Sequence, residues 1–366
     1  MAMRILIVKL TSLGDILFNL PVLADLRRAF PDARIDWAVD AAFADLPAAC
    51  ADVDTVHPFA LRRSRAHPSL SGMLGILSGL KRLRRERYDI VIDTHGMVKS
   101  GVISALARAG VRWGYGRADL AERLLSGVYD RVMVRGREGH PVERYRAEVA
   151  QVIAGTVGNG ETVRPVPGAE PPDSSGPFGA PVFAYRPFAP PAPDVARILD
   201  DGGSPFILLF PFASGSDKAI PAEISCALIA QAHTRGLRVL IPSGSDAEVA
   251  QARELLNAPQ VQMLPRLSIP QLMAVMARAR AFVGADTGLT HIAASLGLPV
   301  AAVFRITDPD HLGPHLWAAH AQSFRLAPAL SDADRDDLAS RIAAMWPCSN
   351  LAESGASGRS QRGEGT

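Results

Sequence analysis

Three short segments of this 366-residue chain combine residue types that could do chemistry. Thr11-Ser12-Leu13-Gly14-Asp15 lies between a strand-like run and a helical pattern. A carboxylate in such a loop can accept a proton from a hydroxyl, and it can equally cap the following helix; spacing alone leaves both roles open for Asp15. Gly284-Ala285-Asp286-Thr287-Gly288-Leu289-Thr290-His291 has the same setting. Backbone N–H groups at a helix start form an anion site. There Gly288 would give room, Thr287 a hydroxyl and His291 a ring one turn in; the alternative is an Asp286 cap with a packed histidine. Ser214-Gly215-Ser216-Asp217-Lys218 follows a third strand-like run. A lysine there could neutralise a leaving diphosphate or form an exposed salt bridge.

Other chemistries lack their residues. No Gly-x-Gly-x-x-Gly follows the first strand, and there is no Gly-x4-Gly-Lys-Ser/Thr, Gly-x-Ser-x-Gly or His-Glu-x-x-His. Asp52-Val53-Asp54 and Asp308-Pro309-Asp310 could hold a cation, but such pairs more often mark turns, and no metal site is expected. Cys50, Cys226 and Cys348 are far apart and form no Cys-x-x-Cys, which suits a reducing compartment.

The elements that must position these residues alternate along the chain. Strands are expected at Arg4–Leu10, Arg34–Asp40, Thr55–Ala60, Tyr88–Asp93, Val111–Tyr115 and Arg131–Val134. One helix is read from Ile16 to Phe30 with Asp15 as its N-cap, and another through Ser104 to Arg108. From residue 206 the alternation resumes, with strands at Phe206–Pro211, Leu237–Pro242, Val261–Leu264, Ala281–Gly284 and Val300–Phe304. Helices are read between them at Pro221–Arg235, Asp246–Leu256, Ile269–Ala279 and Leu289–Leu296. This is the signature of two doubly wound parallel α/β domains, whose ligand-bearing edges would face each other across a cleft. The expected division is a first domain over 1–157, a Pro/Gly-rich linker over 158–204, a second domain over 205–330, a helix over 331–348 and a disordered tail over 349–366.

Composition agrees with a globular protein of about two domains. Hydrophobic residues at 48% and charged residues at 21% exclude a disordered chain, collagen or a coiled-coil rod. No targeting segment is read, and the longest uncharged stretch, 287–304, contains His291, Gly297 and Pro299 and reads as buried helix and strand. The net charge of +2 hides an asymmetry: residues 1–150 hold 23 Lys and Arg against 17 Asp and Glu, and the remainder 16 against 20. Arg62, Arg63, Arg65 and the run Lys81 to Arg87 favour an anionic partner or, for the run, a solvated helix face.

Several blocks carry a resemblance. RILIVKLTSLGDILFNLPVLADLRRAFPDARIDWAVD at the start, Asp93-Thr94-His95-Gly96-Met97-Val98-Lys99-Ser100, His140-Pro141-Val142-Glu143-Arg144 and Phe282–His291 resemble, in the same order, the lipopolysaccharide heptosyltransferases, those of type I in particular. The likeness spans about residues 3–345 and is weakest over 155–204.

The resemblance implies an inverting GT-B glycosyltransferase of family 9, without a bound metal or cofactor. It would move L-glycero-D-manno-heptose from ADP-heptose to the inner Kdo of Kdo2-lipid A. It implies that Asp15 is the general base and that Lys218 stands beside the donor diphosphate. Ser214, Glu248, Asp286, Thr287, Gly288 and His291 would complete the donor site, and Lys9, Ser12, Arg62, Arg63, Arg65 and Lys99 would bind the acceptor. The first domain would then be the acceptor domain and the second the ADP-sugar domain. The expected setting is a cytoplasmic monomer, peripheral on the anionic inner face of the inner membrane, with no nucleic-acid partner. The chain departs from the family pattern at Ala219-Ile220 after Lys218, at His95 where Gln is usual, and at Arg305-Ile306 where the family turn has Gly-Pro. Alternatives are a heptosyltransferase acting on an inner-core heptose and a non-catalytic ADP-sugar-binding paralogue. A dinucleotide enzyme is disfavoured by the missing glycine fingerprint.

Overall fold

A computed structural model describes residues 2–61, 70–116, 127–136, 138–157, 179–213, 215–253, 255–258, 260–327 and 330–347. Arg62, Arg63, Arg65, Ser214, most of the linker over 158–178 and the tail over 349–366 lie outside the described residues. The chain divides into two compact units, Met1–Ala189 with 268–270 and 310–312, and the remainder from Pro190 onward.

The first unit holds a sheet of β1 (Arg4–Val8), β2 (Arg34–Asp40), β3 (Thr55–Phe59), β4 (Tyr88–Asp93), β5 (Ala109–Tyr115) and β6 (Arg131–Met133), in the order β3-β2-β1-β4-β5-β6. Every adjacent pair is parallel. Its helices are α1 (Leu13–Asn19), α2 (Pro21–Ala29), α3 (Asp45–Ala48), α4 (Leu70–Leu83), α5 (Val98–Leu106) and α6 (Pro141–Val157). Ile5, Leu6, Ile7 and Val8 of β1 are fully buried, as a central strand covered by helices on both faces requires.

The second unit repeats the pattern with β7 (Phe206–Phe210), β8 (Arg238–Ile241), β9 (Val261–Met263), β10 (Phe282–Ala285), β11 (Val300–Phe304) and β12 (Ala321–Arg325), ordered β12-β11-β10-β7-β8-β9 and parallel throughout. The remaining helices are α7 (Pro193–Asp200), α8 (Ala222–Thr234), α9 (Asp246–Gln251), α10 (Ile269–Met276), α11 (Gly288–Ser295), α12 (Pro309–Leu312) and α13 (Asp332–Ala343). In each sheet the chain starts at an inner strand, winds to one edge, returns and winds to the other. Ligands of such sheets bind where the two directions part, beyond the carboxyl ends of β1 and β4 or of β7 and β10.

The structure corrects two local readings. The helix expected over 16–30 is two helices, because Pro21 has no N–H to give to a carbonyl one turn back; it starts α2 instead, and Leu20 N–H bonds to Leu17 O. The N-cap of α1 is Ser12, not Asp15, which sits three positions inside and completes a capping box. The reading also assigned no element to Leu70–Leu83. Three glycines there weaken the helical signal; at Gly79 the helix packs closely on β3, and a Cβ there would lie 3.0 Å from the buried Phe59 ring.

Candidate active site

The loop after β1 ends in a tightly held carboxylate. Asp15 Oδ2 accepts from Ser12 Oγ at 2.8 Å and from Ser12 N–H at 3.1 Å. Lys9, buried at the end of β1, donates to Tyr145 Oη at 2.5 Å and to Thr94 O at 3.2 Å. The Tyr145 hydroxyl in turn donates to Asp15 Oδ1 at 3.4 Å. Burial works to raise the Asp15 pKa, but the Lys9 charge and the Ser12 donors outweigh it and hold the carboxyl below its usual range. Asp15 is therefore an anion at neutral pH, partly solvent-facing, and equipped to accept a proton. Lys9 loses basicity by burial, to about 8, despite the neighbouring carboxylates.

The loop after β4 forms the other wall. Asp93 Oδ1 accepts from the N–H groups of His95 and Gly96, at 2.9 and 3.0 Å. Gly96 has φ +70°, and a Cβ there would strike the Tyr115 ring, so glycine is required at this turn. Thr94 Oγ1 accepts from Asn19 Nδ2 at 2.8 Å, which ties the loop to α1. Burial, then the Lys9 charge, lowers the His95 pKa to about 4 and keeps the ring neutral. Lys99 is exposed at the start of α5.

Three residues of this site were not found in the sequence. Tyr145 and Glu148 of α6 and Tyr115 of β5 are buried behind Lys9. Tyr115 Oη donates to Glu148 Oε2 at 2.7 Å, and burial pushes the Glu148 carboxyl up to about 7. The signal was available: Tyr145, Glu148, Val149 and Val152 form one buried helical stripe, and a carboxylate on such a stripe is out of place in a plain core.

In the second unit the residues following β7 and β10 meet. Lys218 Nζ lies 3.9 Å from Asp286 Oδ2, and His291 Nε2 lies 3.6 Å from Asp286 Oδ1. Thr307 Oγ1 donates to Asp286 Oδ2 at 2.6 Å. Burial raises the Asp286 pKa, but His291, Thr307 and Lys218 together pull it below the normal carboxylate value. The N-cap of α11 is Thr287 rather than Asp286, and no side chain caps the helix. Its first N–H groups remain available to an anion beside the Lys218 ammonium. Glu248 stands in the first turn of α9, where its Oε2 accepts the N–H of Gly244 in the loop after β8 at 2.6 Å.

The departure at Arg305 has a physical consequence. Its guanidinium donates to Ser216 O and Ala219 O, both at 3.2 Å, and so braces the loop that carries Lys218. The two Asp pairs are engaged by arginine: Arg27 faces Asp52 and Asp54 at 3.7 and 3.6 Å, and Arg325 pairs with Asp308. Among the described residues no group of three or more His, Cys, Asp or Glu could hold a metal ion.

Comparison with known proteins agrees with this geometry. Residues 76–338 match the model of glycosyltransferase family 9 (heptosyltransferase). The chain is 32% identical over 316 residues to lipopolysaccharide heptosyltransferase 1 of Pseudomonas aeruginosa, covering 86% of this chain and 81% of that protein. It is 30% identical over 313 residues to the Salmonella typhimurium enzyme of the same name, covering 85% and 91%. Among solved structures, E. coli heptosyltransferase WaaC with ADP is similar at TM-score 0.75 and 28% identity, over 94% of this chain and all of that one. The same protein with ADP-2-deoxy-2-fluoro heptose gives 0.71. With paired doubly wound sheets of the GT-B type and the family model spanning most of its length, the chain belongs to glycosyltransferase family 9, the heptosyltransferases.

Proposed function

We propose that this chain transfers L-glycero-D-manno-heptose from ADP-heptose to the inner Kdo of Kdo2-lipid A, with inversion. The observation that carries the reading is the anionic Asp15 held by Ser12 beside Lys9 and Tyr145. Asp15 takes the proton from the acceptor hydroxyl as its oxygen attacks the anomeric carbon. The bond from that carbon to the diphosphate oxygen breaks on the opposite face, and ADP leaves with the electron pair. Lys218 and the uncapped N–H groups of α11 stabilise the charge that develops on the diphosphate. Asp286, itself anionic, orients Lys218 and His291 rather than touching phosphate; its free lone pairs suit sugar hydroxyls. Glu248 is assigned to the ribose, and no metal or cofactor takes part.

Lys9, Ser12 and Lys99, with Arg62, Arg63 and Arg65, would receive the Kdo carboxylates and lipid A phosphates. The enzyme would act as a monomer on the cytoplasmic face of the inner membrane. No helix among the described residues is long and apolar enough to cross a membrane. The test is ADP release and product mass with ADP-heptose and Kdo2-lipid A. Turnover only on a core already carrying heptose would move the assignment to another acceptor. Donor binding without turnover on either would make the chain a non-catalytic paralogue.

A further inference from the structure

Two helices of the first unit turn apolar residues outward. On α5, Ile103 and Ser104 face the core, while Val98, Val102 and Leu106, spaced four apart, are 37%, 46% and 37% exposed. On α4, Leu80 and Leu83 pack on the core cluster, while Leu74 and Leu77 are 64% and 54% exposed. With Met97, these six side chains are half of the twelve exposed large apolar residues among those described. Leu77 and Leu106 line one groove of about 500 Å³, so the two stripes adjoin. Scattered apolar residues on a surface need no account, but a contiguous group does.

The border of this patch is cationic. Lys81, Arg84 and Arg85 form the rim of the groove above Leu77, Leu80 and Leu106. Arg84, Arg87 and Arg108 line a second groove of about 330 Å³ beside it. None of these five makes an ion pair among the described residues. From residue 70 to 112 there are eight Lys and Arg against three acids, and of the acids Glu86 pairs with Arg4 and Asp93 is buried. An apolar strip beside unpaired cations suits the interface of an anionic bilayer, which takes apolar side chains into its headgroup–acyl boundary and attracts Lys and Arg. Position fits as well. Since α5 begins just beyond the carboxyl end of β4, its stripe starts at Met97 and Val98, next to Lys99, and runs to the opposite edge.

We infer that the outward faces of α4 and α5 are a docking surface for an anionic phospholipid bilayer, lying flat against it so that the acceptor edge of the sheet opens at the leaflet. The inference rests on the lipid-borne acceptor proposed above only for why the enzyme needs a membrane. Binding itself follows from the surface.

The test is co-sedimentation of the full chain with phosphatidylcholine vesicles, with and without phosphatidylglycerol. Wild type should bind the anionic vesicles, and added salt should weaken binding. Leu77→Glu with Val102→Glu, and separately Arg84→Glu with Arg85→Glu, should each lower the partition coefficient at least ten-fold. All four positions are exposed, so melting temperatures should hold, as should turnover with a deacylated, soluble acceptor. Absence of wild-type binding, or equal binding by the variants, overturns the proposal. So does a wild-type dimer that Leu77→Glu dissociates while vesicle binding persists, since a second copy would then cover the face. If instead neither acceptor turns over but variant-sensitive vesicle binding remains, the functional reading fails and the docking surface stands.

Discussion

The Lys9 ammonium and the Tyr145 hydroxyl lie 2.5 Å apart across 136 residues of sequence, and that hydroxyl is the bridge from Lys9 to Asp15. A phenol has one proton to give. Tyr145 accepts from Lys9 and donates to Asp15; burial, then the charges of Asp15 and Glu148, raise its pKa and keep it neutral. Lys9 therefore acts on the Asp15 carboxylate, the proposed base, both through its charge and through this relay.

Replacing Tyr145 with Phe removes the relay and leaves the Lys9 charge. A hydrogen bond to a charged group is worth about 1.5–3 kcal/mol, and at 3.4 Å this one belongs at the lower end, so kcat should fall about ten-fold, with donor KM nearly unchanged. Loss confined to donor KM would show that Tyr145 does not act through Asp15.

Asp15→Asn keeps the size of the side chain and an acceptor for Ser12 but cannot take a proton. Turnover should drop by about 10²–10⁴-fold while ADP-heptose affinity, measured by calorimetry, is retained. The weakened capping box should cost no more than about 1 kcal/mol in urea unfolding. A folded variant with near-normal turnover would refute the base.

The strands up to β11 could be read because parallel strands buried on both faces leave continuous apolar runs, as in FILLF of β7 and VAAVF of β11; β12, which mixes buried and exposed positions, and the order of the strands within each sheet came only from the structure. Asp15, Lys218 and Asp286 could be singled out because each lies in the short segment that follows such a strand, with the role of each supplied by the family resemblance. Tyr145 and Glu148 could not be placed the same way. They reach the site sideways from α6, and sequence spacing carries no record of a contact 130 residues away. Arg305 was visible as a departure from the family turn, but its bonds to the Lys218 loop arise only from the fold.

Lys218→Ala should raise the donor KM and lower kcat, because in the proposed reaction the ammonium offsets charge that grows as the diphosphate leaves. If that charge is met by Lys218 and α11 alone, a chelator should leave wild-type activity unchanged. Strict dependence on a divalent ion would show that a carboxylate pair such as Asp308 and Asp310 becomes a ligand.

Arg305→Ala should release the brace on residues 216–219 while leaving Lys218 in the chain. The bonds are exposed, so global stability should change by less than about 1 kcal/mol. The donor KM should rise a few-fold with little change in kcat. Both bonds leave one nitrogen, Nη1, so Arg305→Lys, whose ammonium can also donate to two carbonyls but sits on a shorter side chain, should recover part of it. An unchanged donor KM in Arg305→Ala would mean that the loop holds its form without this contact.

Glu148 makes the folded state sensitive to pH. Burial lifts its pKa to about 7 from the ordinary 4.5. Between those values the folded protein holds a proton that the unfolded chain has lost. Its contribution to stability is therefore full below about pH 4.5 and disappears as pH rises through about 7, a span worth about 3 kcal/mol by linkage. His95 acts oppositely: its pKa is lowered to about 4, so its contribution grows as pH rises from about 4 to 6.5. The two slopes nearly cancel in the wild type, and the difference between proteins is the useful quantity. Glu148→Gln keeps an acceptor for the Tyr115 hydroxyl and removes one slope. In urea unfolding at pH 5, 6, 7 and 7.5, the variant should gain on the wild type steadily with pH and be the more stable of the two at pH 7.5. The range stops there because Lys9, with its pKa near 8, begins to titrate above it. Parallel stability curves for the two proteins would show that Glu148 titrates as an ordinary carboxylate, and that Tyr115 and Lys9 share the space behind Asp15 with a permanent negative charge.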